Sequence, residues 1–347
     1  MNFTITENLD DPRIIPFLMR NNNSTVYHHP AWLRALSEIY NYPAFYMIWE
    51  NSNTNETTGV FPFIVKKKFG KNKKIISLPS TTHCEPLLPD NFDFNIIIKE
   101  LKSYFGKDLT EFDFKFKSST SIRDFTTTSN YFVHIIELCP NLEDTFNSFG
   151  RRSIRRFIRK SDENGLKFRI GNNENDLKIF YEIEKKLRKS IGLPPAPYKF
   201  FRTIWQYLEE DNLILLPIIE FQNKPVAASM VLKFKDTFCF EYTAIDKKYI
   251  DLYPNHKLHW EVIKIAQEEY NAKYIDMGRT AVDQESLIYF KEKWNAKAFP
   301  LHRLSFPAEN KSSLKRGILF KNIKNFNKIL PSKILEFEGK VLFRFFD

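Results

Sequence analysis

Apolar positions recur along this chain with two periods, and the changes between them mark out its elements. Residues 26–40, VYHHPAWLRALSEIY, have helical spacing beginning near Pro30, which suits a first turn because its missing N–H is not needed there. AFYMIWE (44–50), TTGVFPFIVKKKF (57–69) and KKIISLP (73–79) read as strands separated by polar loops. Residues 94–106 return to helical spacing and stop at Gly106. EFDFKFK (111–117) alternates as a half-buried strand does, and YFVHIIEL (131–138) predicts another strand. The first 140 residues therefore predict a mixed α/β unit.

From residue 141 a helix is expected to run to about Asn164, with Gly165 as its stop and LKFRI as the strand that follows. DLKIFYEIEKKLRKSIG (176–192) predicts a helix. The Pro-rich stretch 193–201 launches a further helix through YKFFRTIWQYLEE. LILLPIIEF, VAASMVLKF and TFCFEYTAI predict consecutive antiparallel strands, the first pair joined by a tight turn at Gln222-Asn223-Lys224-Pro225. A helix over 257–272, a strand over 273–278 ending at Gly278, a short helix over 286–296 and a strand over 299–306 complete the pattern. No internal sequence repeat is visible.

Composition fits this alternation. The chain has 347 residues, 43% of them apolar and 27% charged, which suits two globular domains or one large one. The N-terminal stretch lacks the pattern of a leader peptide, and no apolar run is long enough to span a bilayer. Three scattered cysteines, Cys84, Cys139 and Cys239, fit a reducing cytosol, so a cytoplasmic location is expected.

The net charge of +10 favours polyanionic partners such as nucleic acid, phosphorylated substrates or an anionic membrane surface. It is concentrated over 311–347, where nine Lys/Arg face three Asp/Glu. Ile318, Leu319, Ile323, Phe326 and Leu330 recur there at helical spacing. Two readings stand for this tail: a helix packed on the fold with a solvated basic face, or a surface helix touching the inner face of an anionic membrane or RNA.

Several chemistries are disfavoured. No two of the ten glycines are one residue apart, so neither a dinucleotide fingerprint nor a Walker loop is present. His256 and His259 lack a further ligand at metal-binding spacing, and no metal is expected. His83-Cys84-Glu85 reads as a buried cysteine rather than a nucleophile.

A series of stretches resembles the FemAB/FemX-like group of the GNAT superfamily. They are Val26-Tyr27-His28-His29-Pro30-Ala31-Trp32, Gly59-Val60-Phe61-Pro62-Phe63 with Ser77-Leu78-Pro79, and the basic helix running into Asn164-Gly165-Leu166. Arg188 to Pro194 with Phe200-Phe201, Pro225 to Ala228, and Tyr253-Pro254-Asn255 follow. Asp276-Met277-Gly278-Arg279 and Phe290 to Ala296 close the series, which covers about 25–306.

The resemblance implies an α/β (α+β) protein of tandem GNAT-like folds, each a mixed, largely antiparallel sheet flanked by helices. The boundaries expected are 1–140, 141–310 and a basic helical tail, 311–347. FemX-type members move an aminoacyl group from a charged tRNA to the amine of a peptidoglycan precursor. The expected activity is therefore acyl or aminoacyl transfer onto a phosphorylated or lipid-linked envelope precursor. Aminoacyl-tRNA or acyl-CoA would be the co-substrate, with no tightly bound cofactor.

In FemX-like enzymes a Phe-Lys pair lies at the transfer centre, and Phe290-Lys291 matches it. An ammonium beside the attacked carbonyl would stabilise the developing oxyanion, and Phe290 would exclude water. The resemblance also places Arg188 near the precursor, with Tyr253, Asn255, Arg279 and Trp294 as further substrate contacts. Asp276 has two readings, a proton acceptor for the attacking amine or a turn-capping carboxylate.

Residues 253–257 occupy the position where GNAT enzymes carry a Gly-rich pyrophosphate loop, yet no glycine lies between Gly192 and Gly278. That shifts weight from acyl-CoA towards aminoacyl-tRNA. Arg151, Arg152, Arg155, Arg156 and Arg159 fall in one helical stripe, either a phosphate- or tRNA-binding face or a solvated one. Two other functions stay open: an acyl-CoA-dependent N-acyltransferase of an amino sugar or nucleotide-sugar, and a non-catalytic GNAT fold that binds RNA or a partner.

Overall fold

The computed structural model describes residues 2–68, 70–89, 92–120, 122–307 and 327–343. Two compact units emerge. The first takes Met1–Val133 together with the strand that begins at Lys297, from Phe299 onward; the second takes His134–Ala298 and the described C-terminal residues.

In the first unit, strands β1 (Asn2–Thr6), β2 (Ala44–Glu50), β3 (Thr57–Lys67) and β4 (Lys73–Ile76) pair antiparallel in that order. Helices α1 (Ile14–Arg20) and α2 (Pro30–Tyr40) precede β2, and α3 (Phe94–Phe105) carries the chain from β4 to β5 (Leu109–Phe116), which pairs parallel to β4. Asp93 caps α3 through its side chain, and Pro30 opens α2. The core is rich in aromatic rings: Phe45 stacks on Phe63 at 5.3 Å and Phe114 on Phe116 at 5.5 Å. Strand β6 (Thr126–Glu137) crosses from the first unit to the second.

The second unit repeats this logic. Helices α4 (Leu142–Ser148) and α5 (Arg156–Glu163) lead to β7 (Lys167–Gly171), then to α6 (Glu174–Ser190) and α7 (Tyr198–Glu210). Strands β8 (Ile214–Phe221), β9 (Lys224–Phe234) and β10 (Thr237–Ile245) follow, and β7 to β10 pair antiparallel in that order. Helix α8 (Pro254–Glu268) then returns the chain to β11 (Tyr274–Ala281), parallel to β10. Helix α9 (Glu285–Lys293) precedes β12 (Lys297–Phe306), which pairs antiparallel to β5 in the first unit. Each unit thus has an antiparallel run followed by a helical crossover to a parallel strand, and the tandem arrangement implied by the resemblance is present in the topology.

Two expectations are corrected. The helix expected to run unbroken to Asn164 is interrupted at Phe149-Gly150, and a wide π-type turn over Arg151–Arg155 restarts it. The cause is tertiary. Phe149 is buried against Trp260 and Trp294, at 6.2 and 5.1 Å between ring centroids, and the Gly150 N–H donates to the Lys293 carbonyl at 2.9 Å. Strand β11 does not end at Gly278 but continues to Ala281. The elements β1 and α1 were not anticipated at all. Of the predicted tail stripe, Ile318, Leu319, Ile323 and Phe326 lie outside the described residues. Leu330 lies in the bend before helix α10 (Ser332–Leu342), which uses none of the predicted positions.

Candidate functional site

The site forms where two parallel strands part. β10 and β11 are in register only over Thr237–Tyr274, Phe238–Ile275 and Cys239–Asp276. Beyond that point β10 is bulged between Phe240 and Tyr242, and β11 turns left-handed at Gly278 (φ 74°). Such an opening at the C-terminal ends of adjacent parallel strands is where α/β sheets receive ligands.

Lys291, in the last turn of α9, is the side chain that enters it. Its Nζ donates to the Gly278 carbonyl at 2.8 Å and to the Arg279 carbonyl at 3.4 Å. The residue is only 5% exposed, and burial lowers its pKa to about 8 despite the opposing charge of Asp276. An ammonium has three N–H donors. Two are directed at backbone, and the third has no partner among the described residues.

Asp276, His134 and His259 are buried as well, while His256 and Phe290 are half-buried. Asp276 Oδ1 accepts the Gly278 N–H at 2.7 Å, so its carboxylate holds the left-handed turn in place. His134 on β6 has Nδ1 3.5 Å from Thr280 Oγ1, and burial together with the Lys291 charge lowers its pKa to about 4. His259 Nδ1 donates to the Asn255 carbonyl at 2.7 Å, and the ring lies 4.3 Å from Phe240. Burial holds His256 and His259 near pKa 4 as well. Phe290 packs its ring against His256, His259 and Trp294, at 5.6, 6.2 and 6.4 Å.

Most of the candidate residues converge here. Trp294 is fully buried, and among the described residues its Nε1 has no partner; the same holds for the buried Asn255 side-chain oxygen and for Nδ1 of His256, whose ring lies 6.1 Å from that of Trp294. Tyr253, left-handed at φ 64°, stacks on Phe157 at 4.4 Å and opens α8. Arg279 contributes its carbonyl while its side chain is exposed. Arg188 belongs to a different cluster on α6, where its Nε donates to the buried Glu184 at 2.6 Å.

Arg151, Arg152, Arg156 and Arg159 are exposed. The first three make no ion pair or hydrogen bond among the described residues, whereas Arg159 lies over the Phe146 ring. Arg155 is half-buried and donates to Asn147 Oδ1 at 2.8 Å. The Gly150–Lys293 hydrogen bond fastens the start of this arginine segment to the helix that carries Lys291. Elsewhere, Cys84 is wholly buried in the first unit and burial pushes its thiol pKa well up, so it carries no thiolate chemistry. Among the described residues no group of His, Cys, Asp and Glu could hold a metal ion.

His134, Cys239, Gly150 and the carbonyl of Gly278 were not identified as site residues from the sequence. His134 hides in the apolar run YFVHIIEL, and a backbone carbonyl leaves no trace in residue type. Gly278→Ala tests the geometry. A side chain at this positive φ costs about 1–2 kcal/mol, and the Cβ would meet the Phe240 carbonyl at 3.4 Å. The variant should melt lower and also lose activity beyond that, because the carbonyl aligning Lys291 moves.

Residues 148–291 match the family model of the acetyltransferase (GNAT) domain. No curated protein matches the chain. Solved structures share the fold. FemX aligns over 93% of this chain and 100% of its own, with a TM-score of 0.72 and 14% identity. L-PGS from Bacillus licheniformis aligns over 84% and 91%, with a TM-score of 0.54 and 12% identity. A tandem GNAT protein from the clavulanic acid biosynthesis pathway aligns over 89% and 100%, at 0.51 and 8%.

Proposed function

For this chain, which has the FemX-like tandem GNAT fold, we propose an acyl- or aminoacyl-transferase that forms an amide on an amine of a cell-envelope precursor. The observation that carries the proposal is the unpaired third N–H of a buried Lys291 whose other two donors are fixed on backbone carbonyls. The acceptor amine attacks the carbonyl carbon of the donor ester or thioester, and a C–N bond forms as the carbonyl oxygen becomes an oxyanion. That oxyanion receives the free Lys291 N–H. Collapse breaks the bond to the leaving oxygen or sulfur, which takes the proton released by the amine. Phe290 and Trp294 keep this centre dry, where such a donor is strongest. Asp276 acts as a positioning residue through Gly278.

Of the two donors, aminoacyl-tRNA is favoured over acyl-CoA. The start of α8 offers little cradle for a pyrophosphate: Pro254 has no N–H, and the N–H groups of His256 and Lys257 both donate to the Tyr253 carbonyl. The exposed arginines lie on the segment fastened to α9 and supply phosphate contacts instead. Acyl-CoA remains the second reading because the GNAT match covers residues 148–291.

The experiment is a direct comparison of charged tRNA and acyl-CoA as ligands and donors. Charged tRNA should bind with strong salt dependence. Replacing Arg151, Arg152, Arg156 and Arg159 together by Ala should reduce the logarithmic salt slope by about 3, the share of four phosphate contacts on a single strand. Turnover with acyl-CoA alone, and a salt slope indifferent to these arginines, would overturn the choice of donor.

A further inference from the structure

Helix α10 has two faces that differ in what they touch. The inner face seats Leu335, 1% exposed, against the second unit. Gly339 approaches the Pro195 carbonyl so closely that a Cβ would come within 2.0 Å of its oxygen. Phe343, just beyond the helix, packs on Phe200 at 4.8 Å. Lys189 Nζ lies 3.4 Å from Ser332 Oγ. Both carboxylates of the helix are tied back as well, Glu336 to Lys185 at 3.4 Å and Glu338 to Asn327 Nδ2 at 3.5 Å.

The outer face is apolar and basic. Ile334, Phe337 and Val341 are 49%, 68% and 50% exposed, and their i, i+3, i+7 spacing makes them one ridge. Lys333 and Lys340 are exposed beside it, and Ile329, 78% exposed, continues the apolar surface before the helix.

We propose that this outer face docks on an anionic lipid bilayer, with the ridge entering the headgroup boundary and the lysines meeting lipid phosphates. Charge complementarity selects this occupant. The segment 311–347 carries nine Lys/Arg and three Asp/Glu, and two of those three acids, Glu336 and Glu338, already have partners in Lys185 and Asn327. A second copy bound through the same face would set two lysine-flanked ridges against each other, and like charges oppose that pairing. A convex ridge of bulky apolar side chains flanked by lysines is the arrangement of interfacial helices. An eleven-residue helix gives a weak, reversible attachment. The proposal does not depend on which acyl group is transferred.

Sedimentation of the full chain with vesicles of equal parts phosphatidylglycerol and phosphatidylcholine tests it. The wild-type protein is expected to bind these vesicles and to leave pure phosphatidylcholine vesicles unbound. Ile334→Glu/Phe337→Glu should weaken binding at least tenfold with an unchanged melting midpoint, since both side chains are exposed. Lys333→Glu/Lys340→Glu should weaken it comparably and flatten its salt dependence. Failure of the wild type to bind, equal binding to both vesicle types, or insensitivity to both double variants would overturn the proposal. So would a wild-type dimer that Phe337→Glu converts to monomer.

Discussion

Lys291→Met should lower the rate of acyl transfer by a few hundredfold, about 3–4 kcal/mol of transition-state stabilisation for one lost oxyanion donor, while the protein remains folded. The methionine matches the stem of lysine and removes only the ammonium, so the buried stem keeps its place. Stability and activity then separate. The lysine pKa falls from 10.5 to about 8 on folding, so the unfolded chain binds more protons between these values. Wild-type stability should therefore rise as pH increases through that window, by up to about 3 kcal/mol. Lys291→Met should lack this rise. Denaturant unfolding across the window, run beside transfer assays on the same samples, checks both. Full activity in the variant would leave the fold with a binding role.

Acid should destabilise the second unit steeply. His256 and His259 are held near pKa 4, against an ordinary value of 6.5. Their neutral forms are fully accommodated above 6.5, and stability is lost as pH falls from 6.5 towards 4, because the unfolded chain takes up the protons first. Each contributes up to about 1.4 kcal/mol per pH unit within that window, and His134 adds to the trend. His256→Phe keeps an aromatic ring among Phe157, Tyr253 and Phe290 and removes a buried, unpaired Nδ1. Urea midpoints should fall less steeply with acid in this variant than in the wild type. Identical slopes would place the acid-sensitive groups elsewhere.

The parts of the structure that were legible in the sequence are those governed by local chemistry. Pro30 at the first turn of α2, the tight β8–β9 turn and the two-residue alternation of β5 each carry their signal within a few residues. Where partners distant in sequence decide, the local pattern misleads. Nothing near Phe149 announces that Trp260 and Trp294 will draw it inward and break a helix whose propensity runs on. The left-handed turn at Gly278 reads as a strand end, although β11 continues beyond it. Lys291 stands in a charged run, Lys291-Glu292-Lys293, and only family resemblance distinguished it. Its burial depends on the parting of β10 and β11 beyond Cys239 and Gly278, nearly forty positions apart in the chain, a relation no local window of sequence contains.

The most direct measurement is a single-turnover transfer rate followed against pH with the donor saturating. An ascending limb from the acceptor amine should be common to wild type and Lys291→Met. The predicted result is a descending limb centred near the lysine pKa of about 8 in the wild type and absent from the residual rate of the variant. A wild-type rate that stays level through that pH, or the same descending limb in the variant, would contradict an ammonium at residue 291 acting on the carbonyl under attack.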